Sequence, residues 1–136
     1  MTATVTLIGN LTRDPELRFT PGGQAQTTLG IAVSRRYQKD GEWTEQTSYF
    51  NIVAWGPLAE HTAASLTKGA RIIATGRLEQ RNYDTKDGDK RTVVELVADD
   101  IGAALRFATV EVTRVQSTDQ PTTRKPAQLA SDEEAF

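Results

Sequence analysis

Cysteine is absent from the 136 residues and His61 is the lone histidine. Ligand count alone therefore excludes disulfide frameworks, thiolate nucleophiles and Cys/His zinc sites. No apolar run approaches the ~20 residues that a membrane helix requires. The opening Met1-Thr-Ala-Thr-Val also lacks the basic and apolar regions of a secretory signal, so the expectation is a soluble, cytoplasmic chain that does not engage a membrane. An excess of positive charge is missing too, since the formal net charge is −2. Residues 1–110 hold thirteen Lys and Arg against thirteen Asp and Glu, and residues 111–136 hold three against five. All of the net negative charge thus sits at the C-terminal end.

What is present is β-rich. At 38% hydrophobic and 25% charged residues, the chain suits one core followed by a tail. Short alternating runs at Thr4-Val-Thr-Leu-Ile8, Leu17-Arg-Phe19, Ala25 to Ser34, Thr47 to Trp55, Arg71 to Arg81 and Arg91 to Asp99 predict about five strands. Asp40-Gly41 marks a tight turn within the polar stretch Arg35 to Gln46, which reads as a long, polar hairpin connection. Gly76 interrupts its strand where a bulge or barrel bend is expected. Pro57 to Leu66 is the single helix, with Leu58, Thr62 and Leu66 on one stripe, and Lys68-Gly69 closes it. Thr109-Val-Glu-Val-Thr-Arg-Val115 alternates once more before the composition turns to Ser, Thr, Asp, Gln and Pro. The domain is therefore expected to span residues 1–115, with a disordered linker and acidic tip over 116–136. Short strands with one late helix point to an all-β barrel of the OB type, although periodicity alone does not single it out.

Aromatic residues with basic neighbours form the clearest constellation. Arg35-Arg36-Tyr37, Trp43, Tyr49-Phe50, Trp55 and Arg81-Asn82-Tyr83 combine flat side chains with cations, the mixture that single-stranded nucleic acid requires. Bases stack on aromatic faces, and Lys or Arg hold the phosphates. Tyr37 and Tyr83 lie in polar, turn-rich stretches where a core residue would lack apolar neighbours, whereas Phe19, Phe50 and Phe107 are equally readable as core. The cations Arg35, Arg36, Lys39, Lys68, Arg71, Arg77, Arg81, Lys86 and Arg91 are interrupted by acids and would, without the aromatics, be an ordinary solvated surface.

Other chemistries find little support. Asp84, Asp87 and Asp89 suggest a calcium loop, but one with its glycine at Gly88 would begin at Tyr83, which is no ligand. A metal-dependent nuclease built on Asp84, Asp87, Asp89 and Asp99 would need carboxylates that converge. His61 has no partner at a useful spacing, so neither a catalytic residue nor a cofactor is expected. The end of the chain, Ser131-Asp-Glu-Glu-Ala-Phe136, joins consecutive acids to a terminal aromatic. A partner with a basic rim and an apolar pocket could capture it.

Leu7-Ile-Gly-Asn-Leu-Thr-Arg-Asp-Pro-Glu-Leu-Arg-Phe19, Trp55-Gly-Pro-Leu-Ala-Glu60, Lys68-Gly-Ala-Arg-Ile-Ile-Ala-Thr-Gly-Arg-Leu78 and Arg91-Thr-Val-Val-Glu95 resemble, in content, order and spacing, the bacterial single-stranded DNA-binding protein family, particularly its actinobacterial members. Chromosomal and phage-encoded members share this pattern. The resemblance implies a homotetramer of OB-folds, with Tyr37, Tyr49, Trp55 and Tyr83 as base-stacking residues. Three of these are tyrosines where the family often has tryptophan. It matches Arg18, Lys68 and Arg81 to phosphate-contacting positions, to which the local basic clusters add Arg35, Arg36, Arg71 and Arg77. Asn51, Thr67, Glu79 and Asn82 stand where the family is often basic. The resemblance further implies a subunit contact at Phe50 and an extra C-terminal strand, Thr109 to Val115, that clamps neighbouring subunits. Its docking tip for replication and repair proteins maps to Asp132, Glu133, Glu134, Ala135 and Phe136, with Ala135 in place of the usual proline. The expected function is sequence-independent binding and protection of single-stranded DNA in replication, recombination and repair, in the cytoplasm and at the nucleoid. The alternative is an OB-type accessory module that mainly meets protein.

Overall fold

The computed structural model describes residues 3–115, so the linker and the acidic tip lie outside the described residues. Within them, strands β1 (Thr4–Leu11), β2 (Glu16–Phe19), β3 (Ala25–Lys39) and β4 (Glu42–Trp55) precede helix α1 (Pro57–Ser65), and β5 (Arg71–Asp84) and β6 (Lys90–Ala103) follow it. The neighbours run β1-β5-β6-β4-β3-β2, and an additional β1–β3 pairing joins the ends. Five strands thus form a closed ring, with the short β2 attached outside it to β3. This is the expected OB-type barrel.

Closure rests on two glycines where a side chain would strike backbone. A Cβ on Gly9 would collide with the Ala32 carbonyl, at the point where β1 passes from β5 to β3. A Cβ on Gly76 would collide with the Val97 carbonyl, beside the register shift between Thr75 and Gly76. That shift leaves Asp99 without a partner on β5, so Ala98 and Ile101 both turn inward. The bulge expected at Gly76 is therefore present, and it bends the long β5–β6 pair into the barrel.

The interior follows the two-residue period of the strands. Leu11, Leu29, Ile31, Ile52, Ile72, Ala74 and Leu96 form the main buried cluster. Burying each of the larger side chains is worth ~1.5–3 kcal/mol. Helix α1 covers the barrel end through a second cluster of Ala25, Ala54 and Ala59, with Leu58 packed against it. Pro57 stands in the first turn, where its missing N–H costs nothing. The loop before β2 is tied to the turn after α1, because the Lys68 backbone N–H donates to the Asp14 carboxylate at 2.7 Å.

The long hairpin expected over Arg35 to Gln46 is present, since β3 and β4 pair through it up to the two-residue turn Asp40-Gly41. Both turn residues have positive φ, 54° and 82°, as a type I′ hairpin turn demands. One expectation is corrected: Thr109 to Val115 alternates in sequence but forms no strand. A strand needs a neighbouring backbone to satisfy its N–H and C=O groups, and this segment has none among the described residues. Of the two readings open for Phe19, Phe50 and Phe107, the structure takes the exposed one. They are 61%, 40% and 75% exposed, because their strands or segments leave them outside the ring or past its rim.

Candidate nucleic-acid interface

Register decides which face of the sheet each side chain occupies. On β3, Leu29 and Ile31 point inward, and their partners on β4 are Ile52 and Phe50. The odd-numbered residues of β4 therefore face outward, which puts Trp43, Tyr49, Asn51 and Trp55 on the outer surface. On β5, Ile72 and Ala74 point inward, so Arg77, Glu79, Arg81 and Tyr83 face outward. β6 links the two through the registers Asn51↔Glu95, Val53↔Val97, Arg77↔Val97 and Glu79↔Glu95. Val53 and Val97 form a buried floor to this face.

The result is one continuous outer face across β4, β6 and β5. Tyr49, 73% exposed, stands one step along β4 from Asn51, whose β6 neighbour Glu95 pairs with Arg81 at 3.3 Å. The Arg81 guanidinium also lies 5.9 Å from the ring centre of Tyr83. Trp55 emerges at the far end of β4 and is partly exposed. Tyr49, Trp55, Tyr83, Arg77 and Arg81 thus share this one face.

Tyr37 and Arg35 are not on this face. They continue the inward-facing register of β3 beyond the barrel, so they emerge on the opposite side of the β3–β4 arm. There Arg35 lies 4.9 Å from the Tyr37 ring centre and donates to Gln46 Oε1 at 3.1 Å. Arg36, the next residue, is outward and lies 5.5 Å from the Trp43 ring centre. Arg18 on β2 lies opposite Gln26 of β3, which lies opposite Trp55 of β4, so Arg18 flanks the aromatic face on its outer edge, and Lys68 is exposed in the turn after α1. Arg71 faces outward at the start of β5 and packs against Phe107 at 5.6 Å.

Three of the seven expected phosphate-contacting cations are already paired. Arg18 meets Glu16 at 2.7 Å, Arg77 meets Glu79 at 3.0 Å and Arg81 meets Glu95 at 3.3 Å. The first two pairs are residues i and i+2 of one strand, which necessarily share a face; that spacing was a readable signal. The third crosses strands fourteen residues apart and was not. These exposed pairs contribute little stability, but each sets a carboxylate beside a cation that a phosphate would otherwise meet alone. Trp43, named in the aromatic constellation but left out of the expected stacking set, stands on this outer face with Tyr49.

With this geometry in hand, comparison with known proteins is direct. The model of the single-strand binding protein family matches residues 2–104. The chain belongs to the single-strand binding protein family. It is similar to the single-stranded DNA-binding protein of Paenarthrobacter nicotinovorans, 49% identical over 125 residues that cover 90% of this chain and 74% of that protein. The protein of the same name from Mycolicibacterium smegmatis is 48% identical over 116 residues, covering 82% of this chain and 69% of that one. Among solved structures, the small single-stranded DNA-binding protein from Streptomyces coelicolor superposes with a TM-score of 0.64 at 28% identity. That match covers 77% of this chain and 96% of the other. The resemblance to actinobacterial members of the single-strand binding protein family is therefore upheld over the whole barrel.

Among the described residues, no three Asp, Glu or His side chains stand close enough to hold a metal ion, and no helix is long and apolar enough to cross a membrane. Asp84 and Asp89 flank the β5–β6 turn, where Thr85 closes the loop through the Gly88 and Asp89 N–H groups. That turn is a hairpin tip rather than a ligand cage.

Proposed function

We propose that the chain coats single-stranded DNA without sequence preference, laying the bases over Tyr49, Trp55 and Tyr83 and the backbone along Arg77 and Arg81. The observation that carries this reading is the outer face itself, where Tyr49 and Trp55 on β4 and Tyr83, Arg77 and Arg81 on β5 flank the β6 strand between them. Stacking is worth ~1–3 kcal/mol per base and accepts any base. Tyr37 with Arg35 supplies a second contact on the reverse side of the β3–β4 arm, which a strand reaches by passing around the arm. Arg36, Lys68, Arg71 and Arg18 hold phosphates further along the path. No bond is made or broken in this activity, and no cofactor enters it.

The same reading assigns the protein to replication, recombination and repair at the nucleoid, as a homotetramer in which Phe50 and the segment Thr109 to Val115 meet neighbouring subunits. The strand partner that Thr109 to Val115 lacks among the described residues of one chain would then come from another. The acidic tip, Asp132 to Phe136, docks replication and repair proteins through its carboxylates and terminal ring.

Titration of tryptophan fluorescence with a long oligo-dT, at low and high salt and beside duplex DNA of equal length, tests the proposal. Deep quenching that is selective for the single strand and saturates at a fixed nucleotide count per protein is the expected result. No quenching and no retention of the single strand would sink it, and would promote the protein-interaction module in its place.

A further inference from the structure

The β3–β4 arm ends in an indole that the fold does not need. The type I′ turn is specified by Asp40-Gly41, and Trp43 lies one residue beyond β4's first residue, opposite Gln38, with 65% of its surface exposed. An apolar ring of this size gains nothing from water. Its close companion is Arg36, whose guanidinium lies 5.5 Å from the ring centre. Glu45 stands opposite Arg36 in register, yet Arg36 forms no ion pair among the described residues, unlike Arg77 and Arg81 on the sheet. The arm tip thus pairs an exposed ring with an uncompensated cation, both on the outward face that also bears Tyr49.

We infer that Trp43 and Arg36 form a further base-stacking station, which extends the path of single-stranded DNA from the sheet out to the tip of the β3–β4 arm. The inference rests on the proposed DNA-coating function and adds a residue and a length to it. Six residues of strand separate Trp43 from Tyr49, about 20 Å at ~3.4 Å per residue. Several nucleotides can bridge that gap. The base takes the free face of the indole while Arg36 holds a phosphate alongside, a combination that favours single strands over duplex because only unpaired bases expose a face to stack.

The chain has two tryptophans, so each can be made the sole reporter. In Trp55→Phe, indole emission arises from Trp43 alone; in the unsubstituted protein, the excess signal over Trp43→Phe isolates the same ring in a chain that keeps Trp55. A dye-labelled oligo-dT gives binding independently through its anisotropy. The expected result is that Trp43 emission falls along the anisotropy curve and saturates with it, and that Trp43→Ala weakens binding roughly fivefold or more, the change that ~1 kcal/mol of stacking produces. Anisotropy that saturates while Trp43 emission stays flat in both comparisons places the tip outside the path and overturns the inference, leaving the coating function intact. Flat anisotropy with the unsubstituted protein removes the coating function, and this inference with it.

Discussion

Arg81 on β5 reaches the carboxylate of Glu95 on β6 at 3.3 Å while lying 5.9 Å from the ring centre of Tyr83. One guanidinium thus serves both a carboxylate and a stacking aromatic, and an incoming phosphate has to displace the first to join the second. Glu95 is the more enclosed of the two, its side chain 16% exposed against 59% for Arg81, so the anion stays in place at the centre of the face. Removing it should free the cation. We expect Glu95→Gln to tighten binding of oligo-dT severalfold at low salt. The plot of log affinity against log salt should steepen by up to ~0.7, the increment for one added phosphate contact on a single strand. Anisotropy titrations at four salt concentrations measure both.

The stacking residues should contribute individually. Tyr49→Ala and Tyr83→Ala are each expected to cost ~1–3 kcal/mol of binding with little change in the salt slope, since a ring and not a charge is lost. Tyr49→Trp should tighten binding by offering a larger face. Equal affinity of Tyr49→Ala and the unsubstituted protein would remove β4 from the path.

Barrel closure makes a stability prediction that is separate from DNA. Gly9→Ala drives a methyl group into the Ala32 carbonyl, and backbone cannot step aside as a side chain can. A loss of ~1–3 kcal/mol is expected, as for other overpacked sites. Gly102→Ala, on β6 with open space around its Cβ position, is the control that should shift the urea midpoint far less.

Leu29 and Ile52 face each other across β3 and β4, both fully buried. Leu29→Ala should cost ~2–5 kcal/mol, as core truncations do. The same substitution should leave the DNA affinity of the molecules that remain folded unchanged, because the outer face carries the rings. Thermal unfolding followed by circular dichroism, with binding measured well below the midpoint, separates the two effects.

Much of this protein is local and could be read along the chain. The order of strands and helix, the Asp40-Gly41 turn, the bend at Gly76 and the clustering of Tyr, Trp and Arg are set by residue types within a few positions of one another, and the motif spacing resembles the family to which the chain belongs. Even the Arg77–Glu79 pair follows from the two-residue period of a strand. What the tertiary structure alone decided depends on registers between strands distant in sequence. These include the closure of β1 on β3 at Gly9 and Ala32, the pairing of Arg81 with Glu95, and the division of the aromatics between the outer face (Trp43, Tyr49, Trp55, Tyr83) and the reverse of the arm (Tyr37). The physical reason is that a one-residue change of register sends every side chain to the other face. The Asp40-Gly41 turn fixes how β3 and β4 pair in the arm, but which side of the arm faces the barrel interior is set by the burial of Leu29, Ile31 and Ile52 further along the same strands.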